Sequence, residues 1–480
     1  MGEKKLTVIW YWICVCISFL ITTAGYMMAG KEWYDAGYYS ALTFAMNYVD
    51  VEHRNILIYV GRVICPLITV AGLLTLLQEI CRTVSCTVAS FRKDATALYF
   101  EEEGKKEIAY QFQHPVLMGK RINPRVKDHV LLLENDIDNL LFYQQISKKI
   151  KKGSRVFVKM EEMESCLLKD SNICYFNKNE IIARLYWENR NLQKYMRDGK
   201  LTVKIAILGF NTLGQNILDY GLMKNIYSLT QNIQYHIWGN SNVYANQLGN
   251  FDMMNEDSVI YHSTDWQEDI GQFNLFDRII VVQEPAIEML QALLYKSGSN
   301  TEIDFYNPTG IALEAVYKSD KLTSFGMQDT ILTEENIKTD KLYRAAKKLN
   351  FNYAVAYDVT GSYTWDMPEL EKNIELKWKE LDGFLKGSNI AAADYFQIRD
   401  YVMEAHGINP SRISEKQLEM LKKMEHIRWC RYYFVNHWQY APKRNNEMRQ
   451  HHLLVPYEKL SQEEKDKDEK VIWLLLGVNQ

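Results

Sequence analysis

There is no surplus of basic charge in this chain of 480 residues: 56 Lys and Arg face 60 Asp and Glu, a formal net charge of −4. A protein that coats nucleic-acid polymers needs a basic excess or stripe, so no such partner is expected. The signatures of common enzymes are missing too. The chain has no His-Glu-x-x-His pair, no Walker loop and no Ser–His–Asp signature. Its eight cysteines, at 14, 16, 65, 81, 86, 166, 174 and 430, make no Cys-x-x-Cys pair and no zinc spacing, which fits a reducing compartment. These absences predict a protein that is not an enzyme, has no catalytic residues, holds no metal and requires no cofactor. Disorder is excluded by what is present, since 47% hydrophobic and 12% aromatic residues can bury large cores.

Charge is scarce in one place. Only 11 charged residues fall in the first 80. Leu6 to Gly30 carries none over 25 residues; as a helix it would be about 37 Å long, more than the roughly 30 Å hydrocarbon core of a bilayer. A second apolar stretch, Ile56 to Leu77, carries one charge, Arg62, together with Pro66. An ionisable residue in such a span has a buried partner or a function, unless it snorkels to the near interface. The expected protein is a multi-pass inner-membrane protein in contact with lipid. Lys4, Lys5, Arg82, Arg92 and Lys93 outnumber Lys31 and Arg54 between the spans, which places both termini in the cytoplasm.

Tyr38 to Val49, between the spans, is too short to cross a bilayer but strongly apolar and aromatic. It reads as a re-entrant half-helix or as an interfacial helix carrying an aromatic belt. Span, short helix, span resembles the two-span pore-loop channels. That resemblance implies a homo-oligomer, a tetramer, with Asn47, Asp50, Glu52 and Arg62 as pore-lining candidates. The potassium filter Thr-Val-Gly-Tyr-Gly is absent, Met46-Asn47-Tyr48-Val49-Asp50-Val51-Glu52 standing in its place, so selectivity by a ring of carbonyls is not expected.

The rest of the chain reads as several folded units: a membrane domain at 1–80, a degenerate Rossmann-like unit at 81–195, a second at 196–328 and a mostly helical domain at 329–480. Thr202 to Leu208 is a short apolar strand followed by Gly209-Phe-Asn-Thr-Leu-Gly214 and a helix over Gln215 to Met223. Strands are expected at Tyr235–Trp238, Ser258–His262, Arg278–Val282 and Glu302–Tyr306, alternating with helices as in a doubly wound parallel sheet. Gly209, Asn211 and Gly214 mark a candidate nucleotide or dinucleotide loop. Its fingerprint is incomplete: Asn211 replaces the middle glycine, and Gly239, Asn240 and Ser241 stand where a ribose-binding carboxylate belongs. Upstream, Asp128–Leu133, the acidic turn to Asn139, a helix over Leu140–Ile150 and a strand at Arg155–Lys159 repeat the pattern. Both units resemble the TrkA-N or RCK domains found beneath ion channels.

In the last 150 residues, helices are expected at Ile331–Tyr353, Ile390–Glu404 and Ser414–Val435, the third opened by a Ser414/Gln417 capping box. On the third, Leu418, Leu421, Glu425, Arg428 or Trp429, and Tyr432 share a face. A carboxylate and a guanidinium in line with core positions must pair with each other or meet a ligand. In the second case Trp429, Trp438 and Tyr440 would stack on a base or pyridine ring, and Arg428, Arg431, Lys443 and Arg444 would take phosphates. Glu425-His-Ile-Arg-Trp429, His437-Trp-Gln-Tyr440, His452-Leu-Leu-Val-Pro456 and the upstream Gly387-Ser-Asn389 resemble the RyR domain, the repeat named from ryanodine receptors, over about 331–473. His437 departs from the glycine usual before Trp438. The resemblance implies a small helical domain that recognises nucleotide-type ligands, in some bacterial relatives within anti-phage signalling. Its implied pocket is Asn389, Glu425, Arg428, Trp429, Trp438, Tyr440 and Arg444. The expected function is a membrane effector opened by a small nucleotide-derived ligand; the alternative is a non-conducting membrane-anchored sensor or regulator of ion transport.

Overall fold

The computed structural model describes residues 2–89, 95–101, 106–117, 122–124, 126–163, 173–200, 202–248, 253–283, 287–310, 317, 319–338, 341–356 and 367–475. Two compact units emerge, Met1–Arg92 and Lys93–Gln480.

In the first unit, helices α1 (Gly2–Met28) and α3 (Ile56–Ala89) contain stretches, Trp10–Met28 and Ile56–Leu74, long and apolar enough to cross a membrane. They pack through small residues, which let two backbones come close without a polar driving force. A Cβ on Gly61 would overlap the Thr22 side chain, and one on Gly25 would lie 2.9 Å from the Ile58 amide. α3 continues through Pro66 and runs well past its expected end at Leu77. Proline has no N–H to give the carbonyl four residues back, that of Arg62. Tyr48 supplies the missing donor, its hydroxyl lying 3.1 Å from the Arg62 carbonyl.

The short helix between the spans, α2, covers Trp33–Phe44 rather than the expected 38–49. It ends in a Schellman turn: Met46 takes a left-handed conformation (φ +61°), its N–H bonds Thr43 O, and the Asn47 N–H bonds Leu42 O. Asn47, Asp50 and Glu52 consequently lie on an irregular return segment, not on a helix. The inner face of α2 is small, Ala36, Ser40 and Thr43, and seats against α1, where Thr23 bonds Ser40 at 3.0 Å. Its last turn lies beside Val15 and Cys16. Cys16 is about 18 Å along α1 from Met28 at 1.5 Å per residue. α3 agrees: Thr69, about 20 Å from the start of that helix, donates to the Phe44 carbonyl at 2.9 Å. The chain then climbs back beside Arg62 to Asn55, which caps α3 and donates to Gly25 O at 2.7 Å. α2 is thus re-entrant relative to its two long neighbours.

The second unit holds two all-parallel sheets. The first comprises β1 (Thr96–Tyr99), β2 (Pro115–Leu117), β3 (Asp128–Leu131), β4 (Arg155–Met160) and β5 (Ile173–Asn177) in spatial order 2-1-3-4-5. The second comprises β6 (Thr202–Leu208), β7 (Asn232–Trp238), β8 (Ser258–His262), β9 (Arg278–Val281), β10 (Glu302–Tyr306) and β11 (Leu322–Phe325). Counted from its own first strand, its order is 3-2-1-4-5-6, that of doubly wound nucleotide-binding sheets. Removing the third strand from that order and renumbering gives 2-1-3-4-5, so the first sheet is the same winding one strand short. In helix order, α4 (Lys106–Ala109), α5 (Asp136–Ile146), α6 (Lys178–Asn189), α7 (Gln193–Arg197), α8 (Thr212–Lys224), α9 (Asn242–Leu248) and α10 (Ile287–Lys296) accompany the strands. α5 begins four residues before its expected start because Asn135 caps it, accepting from the Asp138 N–H. α6 joins the sheets, its Trp187 ring filling the space that Gly221 of α8 leaves open. Arg278, fully buried on β9, bonds Glu302 at 2.6 Å and lies 3.4 Å from Asp304, which also takes Tyr186 and Arg190.

The helical layer differs from expectation in its breaks. Residues 331–353 are three pieces instead of one helix: α11 (Gln328–Ile331), α12 (Glu334–Ile337) and α13 (Arg344–Ala356). The interruption is imposed from outside, since Lys338 reaches Thr96 (2.6 Å) and Asp128 (3.1 Å) of the first sheet. α14 (Met367–Glu380) follows. The expected helix at 390–404 is divided at Tyr395 into α15 (Gly383–Asp394) and α16 (Phe396–Ala405). α17 (Glu415–Val435) has the capping box read from the sequence, and α18 (Gln462–Leu475) ends the described chain. One continuous hydrophobic core runs from Leu98 through both sheets to Ile472.

Candidate ligand-binding cleft

α17 carries the cleft's polar centre because its capping box sets the helix phase. Glu425 and Arg428, one turn apart, then face inward with Leu421 and Tyr432. Arg428 grips Glu425 bidentately, at 2.9 Å through Nε and 2.6 Å through Nη2, with both side chains buried. The internal pair therefore exists. It does not exhaust the guanidinium: Nη1 is buried with no hydrogen-bond partner. Burial opposes the Arg428 charge, but Glu425 outweighs it and raises the pKa.

Around this pair lies a cleft of about 340 Å³. Asn350 and Tyr353 of α13 form one wall, Ser388 and Asn389 of α15 a second, and Leu453, Leu460 and Glu464 a third. His426 and Trp429 complete the α17 side. His426 places Nε2 2.8 Å from the Val455 carbonyl, which requires that nitrogen to carry the proton. Burial lowers its pKa, so the ring is neutral near pH 7. The Trp429 ring is held by Tyr433, with centroids 4.3 Å apart, and by His451 at 5.2 Å.

Of the seven residues expected in the pocket, Asn389, Glu425, Arg428 and Trp429 share this cleft. The other three do not line it. Trp438 is buried against Phe384 and Tyr433, bracing the wall from behind. Tyr440 is exposed on a two-residue strand, β12 (Gln439–Tyr440), paired with β13 (Gln450–His451). Arg444 is exposed and bonded to Asn446. Arg431, expected to reach phosphate, instead enters the second sheet. It bonds Leu222 O, Met253 O, Asn255 and Asp257, and it and Asp257 are fully buried. Asn350, Tyr353, Ser388, His426 and Glu464 were not foreseen. Ser388 and His426 lay inside the quoted Gly387-Ser-Asn389 and Glu425-His-Ile-Arg-Trp429 stretches without being assigned to the pocket; Asn350, Tyr353 and Glu464 carried no signal of their own.

The glycine loop of the second sheet is shaped for packing. Gly209 has φ +85°, and a Cβ on Gly214 would meet the Gly209 carbonyl at 2.8 Å. Asn211 caps α8 by accepting the Gly214 N–H at 3.0 Å. Phe210 is buried against the Tyr244 ring. In the first sheet, the amides of Glu161, Glu162 and Met163 form a nest of the kind that binds anions, and the Asp136 carboxylate fills it at 2.8 to 2.9 Å. Among the described residues no cluster of three or more His, Cys, Asp or Glu could hold a metal ion.

In the first unit, Asp50 pairs with Arg54 at 2.5 Å and lies 3.5 Å from Arg62. Arg62 also donates to the Val49 carbonyl at 2.8 Å and stacks over Tyr48. Asp50 is thus partly neutralised, while Asn47 is exposed.

Residues 403–476 match the RyR domain family. The match contains α17, both short strands and α18, but not the α13 and α15 walls of the cleft. No curated protein and no solved structure matches the chain.

Proposed function

We propose that the chain is a ligand-gated membrane effector: α1 and α3 span the inner membrane, copies of the first unit assemble around a pore, and the second unit faces the cytoplasm and binds a nucleotide-derived small molecule. The observation that carries the pore is the re-entrant segment. Ala45 to Tyr48 are exposed after α2 has descended about 18 Å alongside α1, and among the described residues no hydrogen bond meets the amides of Tyr48, Val49 and Asp50. Irregular backbone at such a depth is tolerated only where protein covers it or water lines it. Neighbouring copies around an aqueous path supply both. A homo-oligomer, a tetramer by analogy with pore-loop channels, fits this requirement.

The sensing half rests on the cleft. Arg428 Nη1 has no hydrogen-bond partner among the described residues, and a buried donor left alone costs about 1–3 kcal/mol. The sequence resemblance of the two units to TrkA-N or RCK domains, which are found beneath ion channels, supports the same reading. Gating requires that the ligand bind one of two states better than the other. Anti-phage defence is the setting that the RyR resemblance favours.

The test is ion flux from liposomes containing the purified full-length protein, with nucleosides and nucleotides added in turn. Flux that depends on an added compound and disappears in Asn47→Trp, at the exposed return segment, supports the reading. Ligand binding without flux would leave the non-conducting sensor in its place.

A further inference from the structure

Taking the cleft as the ligand site, we infer that it selects a single nucleoside-like ring, rich in hydrogen-bond donors and poor in phosphate, and rejects di- and triphosphates.

The charge around the cleft carries this. Its ionisable lining residues are Glu425, His426, Arg428 and Glu464. The one fixed cation, Arg428, is already spent bidentately on Glu425. His426 is neutral, its Nε2–H committed to Val455 O. Glu464 pairs with Lys467 at 2.8 Å, but Lys467 is not part of the lining. The cations that the sequence offered for phosphate do not line it: Arg431 is locked into the second sheet, while Lys443 and Arg444 are exposed and outside the lining. Nor does a helix terminus help. α18 begins beside the cleft, but its first turn carries Glu463 and Glu464, which offset the positive end of the dipole.

Of the remaining polar groups, Asn350, Tyr353, Ser388 and Asn389 carry both donors and acceptors, whereas Glu464 only accepts. Asn389 gives one Nδ2 proton to the Leu385 carbonyl at 3.0 Å, leaving its carbonyl oxygen and one N–H for a ligand. Glu464 adds a carboxylate, and Ser388 can accept as well. Exocyclic amines, ring N–H groups and sugar hydroxyls satisfy such a set, whereas a multiply charged phosphate would meet two carboxylates and no uncommitted cation. Arg428 Nη1, without a hydrogen-bond partner among the described residues, can take one acceptor, such as a ring nitrogen or carbonyl. At about 340 Å³ the cleft lies near the lower end of the usual range for small-molecule pockets, enough for one base and sugar and too little for a dinucleotide.

Full-length protein in lipid nanodiscs, titrated by equilibrium dialysis with adenosine, AMP, ADP and ATP and with the guanosine counterparts at constant ionic strength, tests this. The expected order has the nucleoside tightest and the triphosphate at least about tenfold weaker. Glu464→Gln should narrow that ratio, and Asn389→Leu should weaken every member of the preferred series. Affinity that rises with phosphate number, yet falls in Asn389→Leu, overturns the inference and leaves the cleft as the ligand site. Binding indifferent to Asn389→Leu, or no binding by either series, refutes both.

Discussion

Replacing Arg431 by Met strands a carboxylate inside the second unit. Asp257 loses its 2.8 Å ion pair at a site where neither side chain is exposed, although Gln231 and the Ile233 amide still donate to it. The carbonyls of Leu222 and Met253 lose their donor as well. Removing one partner of a buried pair costs about 3–5 kcal/mol, most of it from the charge left behind. Spread over a cooperative unit of several hundred residues, that lowers Tm by roughly 5 °C. Asp257→Asn makes the complementary lesion while keeping an oxygen for the Ile233 amide. The double variant carries no stranded charge, so it should be more stable than the two single losses summed, by at least about 1.5 kcal/mol. Urea unfolding in detergent, followed by tryptophan fluorescence, reads all four proteins. Additive losses, within about 0.5 kcal/mol, would show that Arg431 and Asp257 do not hold the helical layer to the sheet.

Three further outcomes are expected. His437 sits at φ +62°, where Trp438 N–H bonds Tyr433 O to close the end of α17; His437→Gly should relieve about 1 kcal/mol of left-handed strain, read as a rise in Tm. Glu302 is held down at about 2: burial pushes it up, but Arg278, Lys194 and Arg190 together outweigh that. Its folded value lies below the ordinary 4.5, so its stabilisation is complete above that pH and lost as pH falls towards 2; Glu302→Gln should flatten acid unfolding in that window. Gly61→Ala should disrupt α1–α3 packing far more than Gly72→Ala, because the first methyl meets Thr22 close to the backbone and the second only the movable end of Tyr11, a contrast visible in thermal aggregation of the detergent-solubilised protein.

Periodicity and turn chemistry made the regular parts legible. β6, β8 and β10 fall where short strand-like stretches between helical segments placed them, and Ser414 and Gln417 announced the start of α17. The expected helix at 331–353 failed because Lys338 is anchored by residues more than two hundred positions earlier, and no local pattern encodes that. The same physics misassigned Arg431. Its neighbours on the helix, Ile427, Phe434 and Val435, are buried, but an arginine among them has no readable partner until the fold brings Asp257 to it. His437 was legible as a departure from glycine, and its positive φ supplies the reason glycine is usual there. The cleft was half readable. Glu425 and Arg428 lie on one helix within the matched segment, whereas Asn350, Tyr353 and Ser388 arrive from segments outside it.

The hydroxyl of Tyr48 does more than cover a carbonyl. A helix bends at least cost where a rung of its ladder is missing, and in α3 that place is the Arg62–Pro66 interval. The phenol bridging the gap belongs to the return segment, so the bend of α3 and the position of that segment are mechanically joined. Straightening or bending α3 there must carry Tyr48 with it or break the 3.1 Å bond, which makes the tyrosine a latch between the long helix and the segment that follows α2.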